Sequence, residues 1–498
     1  MSTRREFFNT LASTIALTGF APAAKASNLS LSWDTQGSDW LPSPDESATK
    51  GTLALFSKGL PHNNDGIPDE AAFSAFVEAI RSRNVNELER LRPKAGIPWV
   101  DPTAGIQLTI PATLGPYGSG WFGSKLMAGD LTELYWAALC RDQPFLAYGS
   151  STLVSQANQD LVKTDGPRFQ RAVFSSALPG VSQGPFVSQF LVKKVPLGSI
   201  MFDQNYLCPQ ADNDFAATID AWHRCQDGDS SGLPISYLPN TRYIFNGRSL
   251  AEYVRTDFSY QAYLLAALII QSWGRDALNP GLSQRYTKNV SAFINSGWWE
   301  VFGLLGQISE LALQDSWYWK WRVFRRLRPE ELAGRIVLAQ KADNSTFIDL
   351  PMSQTAPKIC EAQHGTMLLS QAYPDGCPLH PSFPAAHAEI AGACVTLLKA
   401  FSDPSFKVPA ALNPTSDGLN AQPYNQPLTL EGELNKLAWN IAFGRAFAGV
   451  HYRSDLEAGL LLGESIALKL LSNLRRDSFD KSTLWFRRFD GNWTSVKT

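Results

Sequence analysis

Cysteine is scarce in this chain, six in 498 residues, and no two fall in a C-x-x-C, so zinc and thioredoxin chemistry have no sequence basis. Charge is scarce too. Only 18% of residues are charged and the formal net charge is −2, which gives no bulk attraction to nucleic acid or an anionic membrane and leaves any anion to a local cluster. No uninterrupted apolar run reaches the ~18 residues of a spanning helix. Ala262–Gln271 is too short, and Leu456–Leu471 contains Glu457 and Glu464. Strand-like alternation is rare, no internal repeat is evident, and 31 Pro with 36 Gly are near average, which excludes a collagen-like or linker-dominated chain. What is plentiful is apolar side chain, 44% of the residues, enough to bury a large core. The length allows about three domains or one large helical unit.

Thr3-Arg4-Arg5-Glu6-Phe7-Phe8, the apolar stretch Thr10–Ala23 and Ala24-Lys25-Ala26 read as a twin-arginine export signal over residues 1–26, with the mature chain starting near Ser27 in an oxidising compartment. There, Cys208 with Cys225 and Cys360 with Cys377, each bracketing a Pro- and Gly-bearing loop, are the expected disulfides, while Cys140 and Cys394 read as buried small residues. Residues 27–280 form an N-terminal helical and loop-rich region, and 281–498 a C-terminal helical region. Helical periodicity is predicted at Glu70–Arg81, Leu126–Cys140, Tyr253–Trp273, Val290–Leu313, Trp317–Leu327, Ala388–Phe401, Leu430–Phe447 and Leu456–Leu474. Gly118-Ser119-Gly120-Trp121-Phe122-Gly123 matches G-x-G-x-x-G without a preceding strand and reads as a turn.

Three segments concentrate cations and histidines. In Trp317–Pro329, Lys320, Arg322, Arg325, Arg326 and Arg328 interleave with aromatics. Single-stranded nucleic acid, a membrane surface or a solvated basic face are alternatives, but aromatics all round the helix imply burial, and buried cations need an anion. Pro329 sets Arg328 at a helix end. In His380-Pro381-Ser382-Phe383-Pro384-Ala385-Ala386-His387, Pro384 at the first helical position leaves the amides of Ala385 and Ala386 open to an oxyanion. In Arg445–Asp455, Ser454 and Glu457 have capping-box spacing, so the last helix starts near Ser454 with His451 just ahead. H-x-x-x-D resembles a metal pair, yet beside arginines Asp455 reads better as an orienting and charge-balancing group. Together the segments describe one pocket for a tetrahedral oxyanion.

Lys320-x7-Arg328-Pro329, His380-Pro381-Ser382-Phe383-Pro384-x-x-His387 and Arg445-x5-His451-Tyr452-x-x-Asp455 resemble the three signature blocks of vanadium-dependent haloperoxidases. The algal and cyanobacterial bromoperoxidase branch, within the acid phosphatase and phosphatidic acid phosphatase superfamily, is the most similar. Leu131–Trp136 and Gly184–Phe190 extend the likeness over most of the mature chain. The resemblance implies an all-α fold, two four-helix bundles framing the oxyanion site, a homo-oligomer and a vanadate cofactor. It implies that His451 is the vanadium ligand and that Lys320, Arg328 and Arg445 neutralise vanadate oxygens, with Asp455 supporting from behind. His387 is the implied acid/base, and His380 with Trp317 lies near the halide. Hydrogen peroxide, bromide or iodide, and small organic molecules are the implied partners. Two adjacent positions depart from the pattern: Ala385-Ala386 stands where the family has Ser-Gly, removing a hydroxyl worth about 1.5–3 kcal/mol to a bound ion. An exported phosphatase working through a phosphohistidine at His451, or a non-catalytic oxyanion-binding protein, are the competing readings.

Overall fold

The computed structural model describes residues 43–45, 53–118, 120–169, 172–229, 233–341, 350, 352–476 and 482–497; the segment 1–26 expected to be an export signal and the expected start at Ser27 lie outside them. Thirteen α-helices occur among the described residues: α1 (Glu70–Ser82), α2 (Val85–Leu91), α3 (Lys125–Cys140), α4 (Thr152–Phe169), α5 (Ile219–Gln226), α6 (Gly247–Thr256), α7 (Gln261–Ser272), α8 (Trp298–Tyr318), α9 (Pro329–Lys341), α10 (Thr355–His364), α11 (Ala386–Phe401), α12 (Leu430–Phe447) and α13 (Arg453–Arg476). Strands amount to three two-stranded antiparallel hairpins: β1 (Val195–Leu197) with β2 (Ile200–Phe202), β3 (Leu412–Pro414) with β4 (Ala421–Pro423), and β5 (Thr483–Arg487) with β6 (Trp493–Lys497). In the longest, Thr483 faces Lys497 and Arg487 faces Trp493. The fold is the expected helical one, and no described helix is long and apolar enough to cross a membrane.

Two helices make the centre. Every residue of α12 is buried, and every residue of α11 except His387. Helices buried on every side form the middle of a large core, here with charged residues such as Glu433, Lys436 and Glu389 inside it. Helix α11 packs against α13, α8 and α12. Its crossing with α13 depends on glycine: a Cβ on Gly463 would stand 1.9 Å from the Glu389 carbonyl oxygen, and one on Gly392 2.3 Å from that of Leu460. Backbones can approach this closely only where no side chain intervenes.

Several expected elements differ in detail. Tyr253–Trp273 is two helices, α6 and α7, because Asp257 turns extended at the end of α6 and the chain reverses before Gln261. The Val290–Leu313 helix starts only at Trp298, and the separate Trp317–Leu327 helix is absent: α8 runs to Tyr318 and widens into a π-turn over Trp319–Phe324. Ser454 lies inside α13 and donates to Asp130 at 2.5 Å, a buried carboxylate being a stronger acceptor than a cap site, while Asp455 accepts from the Tyr452 amide at 3.1 Å. The expected disulfides are not formed. All six cysteines are free and buried, and Cys208, Cys225 and Cys377 each have an oxygen acceptor of their own, on Tyr206, Pro374 and Gln371.

Candidate active site

The three basic segments converge beside the start of α11, each carried by a helix end. Lys320 lies in the π-turn, which closes with the Arg325 amide on the Lys320 carbonyl at 2.9 Å. Such turns are frequent at functional sites. Lys320 is fully buried, and its Nζ donates to the carbonyls of Pro381 at 2.9 Å and Ser382 at 2.8 Å. Arg328 immediately precedes α9, where the Glu331 carboxylate accepts from its amide at 2.9 Å and fixes the helix start. Its guanidinium meets the His380 carbonyl at 2.8 Å, the Val450 carbonyl at 2.7 Å, His451 Nε2 at 3.1 Å and His380 Nδ1 at 3.0 Å. Arg445, in the last turn of α12, donates to the Val254 carbonyl at 2.9 Å, and its Nε is a buried donor without an acceptor among the described residues.

Between α12 and α13, Gly449 takes φ 84° with the Gln371 amide pressed against it, and this turn sets His451 at the site. Nδ1 of His451 lies 3.0 Å from Asp455, which also accepts from Arg326 at 3.0 Å, from the Ser382 hydroxyl and from the Tyr452 amide. Asp455 therefore holds the proton of His451 on Nδ1 and leaves the Nε2 lone pair facing the cations. Burial, then Arg328 and Lys320, hold both His451 and His380 well below the ordinary histidine range. Burial and Arg328 likewise depress Lys320, and Arg328 itself is pulled down to about 10, chiefly by burial. These groups crowd one another's charge, and a bound anion would relieve all of them.

At the open edge, His387 Nε2 lies 3.3 Å from Asp257, and Trp317 packs on His380 with ring centroids 4.8 Å apart. Beside Trp317, whose indole donates to the Val100 carbonyl, a cavity of about 350 Å³ is bordered by Val100, Leu379, Arg255 and Asp375. The cavity of about 420 Å³ between Phe145, Tyr148, Phe186 and Trp439 contains none of these groups. Around the start of α11 one expectation fails. Helix α11 begins at Ala386, with Ala385 extended as its cap residue, so Pro384 precedes the helix by two positions. The Ala385 amide is bonded to the Asp455 carbonyl at 3.1 Å and is not open to an anion. Helix α11 has no side-chain cap, so its open amides begin with Ala386.

Lys320, Arg328, His380, His451 and Asp455 are thus linked directly or through Pro381 and Ser382. Arg445 lies within charge range of Lys320, Arg328 and both histidines, while the His387 side chain, at the start of α11 beside Ala386, meets Asp257. The other basic residues of the first segment are otherwise engaged: Arg326 pairs with Asp455 and stacks on Trp121 and Phe383, and Arg322 bonds the Ile80 carbonyl at 3.0 Å. Sequence reasoning missed Asp257, Tyr373, which lies under Arg445, and Arg326 as a partner of Asp455.

A vanadium-dependent bromoperoxidase of Ascophyllum nodosum is 34% identical over 88% of this chain and 85% of its own length. The chain belongs to the vanadium-dependent bromoperoxidase family. Another member, from Corallina pilulifera, is 28% identical over 91% of this chain and 92% of its own. The family model described as the VCPO second helical-bundle domain matches residues 311–477, which include all three basic segments. Among solved structures, the homohexameric second vanadate-dependent bromoperoxidase of Ascophyllum nodosum superimposes with a TM-score of 0.81, covering 98% of this chain and 95% of that one at 23% identity. That likeness establishes that the bromoperoxidase fold is shared.

Proposed function

We propose that this protein is a vanadate-dependent haloperoxidase that oxidises bromide or iodide with hydrogen peroxide to a hypohalous acid equivalent, which halogenates small organic substrates. The observation that carries this reading is the gathering of Lys320, Arg328 and Arg445, all buried, whose side-chain nitrogens donate to carbonyls, histidines and a tyrosine hydroxyl and to no carboxylate among the described residues, Asp455 being taken by Arg326. Such a cluster is short of negative charge. The residues fit a tetrahedral oxyanion: Arg445 Nε is a donor in want of an acceptor, the first amides of α11 are uncapped, and His451 offers an unprotonated Nε2.

Vanadate, when bound, supplies a Lewis-acidic centre that activates peroxide toward halide without changing its own oxidation state. His451 would hold it through Nε2, with Asp455 fixing the ring. Lys320, Arg328 and Arg445 would stabilise negative charge on a bound oxyanion, Lys320 would withdraw electron density from an oxygen beside it, and the Ala386 amide would add a neutral donor. His387, half-buried with its Nε2 facing Asp257, would take up and return a proton at Nδ1. His380 and Trp317 border the path of the halide. In this reading residues 281–498 carry the anion-binding groups and 27–280 supply walls and Asp257. The chain works as a homo-oligomer after twin-arginine export. The family relationship favours peroxidase over phosphatase chemistry.

Halogenation of an activated phenol with peroxide and bromide, iodide or chloride, with and without orthovanadate, tests the proposal. Orthovanadate should restore activity to apoprotein, with bromide and iodide used far better than chloride and phosphate competing. Hydrolysis of phosphate monoesters without a vanadate effect would establish the phosphatase instead, and binding without turnover the non-catalytic protein.

A further inference from the structure

Near Lys320, two acidic side chains are buried together. Asp315, on α8, accepts four donors: the amides of Leu108 at 2.5 Å and Thr109 at 3.1 Å, the Thr109 hydroxyl at 2.5 Å and the Trp319 indole at 3.1 Å. It is fully provided for as a carboxylate. Glu389, on the first turn of α11, is also inaccessible to solvent, and neither of its carboxyl oxygens receives a hydrogen bond from any described group. Asp315 lies within side-chain hydrogen-bonding reach of it, and Lys320 is close enough for the two charges to interact. The Lys320 ammonium itself is turned to the Pro381 and Ser382 carbonyls.

Two carboxylates in contact, one of them without a donor, is an arrangement that only a proton can satisfy. Asp315 has its four donors, so the proton belongs to Glu389. We propose that Glu389 is a positioning residue for the oxyanion: it stands as a neutral carboxylic acid bonded to Asp315, which leaves Lys320 and the start of α11 fully positive toward the anion. The inference rests on the oxyanion site described above and adds to it the charge state of the layer beneath. Burial and Asp315 push the Glu389 carboxyl well above the ordinary range, in keeping with this geometry. An ionised Glu389 would compete with the anion twice, once for Lys320 and once for the positive end of α11. Its backbone cannot withdraw, because Gly463 of α13 is packed against the Glu389 carbonyl.

The test combines infrared difference spectroscopy of the whole protein with calorimetric titration of apoprotein by orthovanadate and by inorganic phosphate, for the wild type and Glu389→Gln. At neutral pH the wild type should show the carbonyl band of a protonated carboxylic acid that Glu389→Gln lacks. The amide, neutral and able to donate to Asp315, should bind both anions within about threefold of the wild type. Absence of the band, or anion binding at least about tenfold tighter in Glu389→Gln, means that the native glutamate is ionised, and the proposal fails. Failure of the wild type to bind either anion overturns the oxyanion site itself, and the infrared band then still decides the state of Glu389.

Discussion

Arg453 and Arg328 are both buried, both near the start of α13, and neutralised in opposite ways. Arg453 grips Glu133 through two bonds, at 2.6 and 2.7 Å, and neighbouring Arg168 meets Asp130 at 2.7 Å. Among the described residues Arg328 has no carboxylate on its guanidinium, only two carbonyls and two histidines. Equal burial with unequal counter-charge separates a finished structural network from one awaiting a ligand. Counting buried arginines cannot make that distinction; tracing their acceptors can.

The largest effect should come from His451→Ala, which removes the only proposed bond to vanadium. Orthovanadate-dependent halogenation should vanish in an assay of folded protein, whereas His387→Ala keeps orthovanadate binding and loses turnover. Next, Arg453→Leu leaves Glu133 buried and unpaired and should cost about 3–5 kcal/mol in denaturant unfolding. Arg328→Leu should do the reverse: no loss of apoprotein stability, since like charges are relieved, and orthovanadate binding weaker by about tenfold or more, or at least ~1.4 kcal/mol. If Arg328→Leu destabilises the apoprotein as much as Arg453→Leu, the two networks are alike and the contrast collapses.

Proton linkage sharpens the same contrast. His62, half-buried beside Arg335 and hydrogen-bonded to Ser57, is held down to about 3 from 6.5, chiefly by burial. His380 is depressed by burial and then by Arg328 and Lys320. For both, the unfolded chain takes up its proton first. Their contribution to stability is therefore complete above about pH 6.5 and is lost as pH falls, by up to ~1.4 kcal/mol per pH unit for each group. His62→Gln should flatten the acid limb of a stability profile equally with and without phosphate. The His380 contribution should shrink when phosphate saturates the site and offsets its cationic neighbours.

How much of this was legible in the sequence depended on distance along the chain. Lys320, Arg328, His380, His387, Arg445, His451 and Asp455 were readable because they fall in three short segments dense in cations and histidines, whose spacings resemble the family's blocks. Helix α12 was readable from its apolar periodicity, but its burial all round, with Glu431, Glu433, Lys436 and Arg445 inside, was not. Helix α4, with Gly166-Pro167 near its end and few buried residues, gave no such signal. Nor did the π-turn, since its backbone closure by Arg325 has no residue signature. Asp257 and His387 are 130 positions apart, and Glu133 and Arg453 are 320 apart, so no local pattern couples them. The disulfide expectation failed because it weighed loop lengths and compartment without knowing that each thiol is buried separately. The open amide at Ala385 failed because its acceptor, the Asp455 carbonyl, comes from another helix.

The smallest expected effect follows from that last point. Ala385 is a cap residue with no capping side chain, so Ala385→Ser should add about 1 kcal/mol of thermal or denaturant stability. Unchanged orthovanadate affinity would show that the new hydroxyl serves the helix, and a tenfold gain that it reaches the anion.

The glycine-lined crossing of α11 and α13 bears on how such a site can change over generations. His387 and Glu389 ride on one helix and Asp455 on the other, with His451 just ahead of it, and their backbones touch at Gly392 and Gly463. Neither helix can slide to admit a bulkier neighbour without parting the other from its charges. Variation in the choice of halide or organic substrate is thereby confined to side chains around the rim, such as Trp317, Arg255 and Asp257. The anion cradle is inherited as a unit.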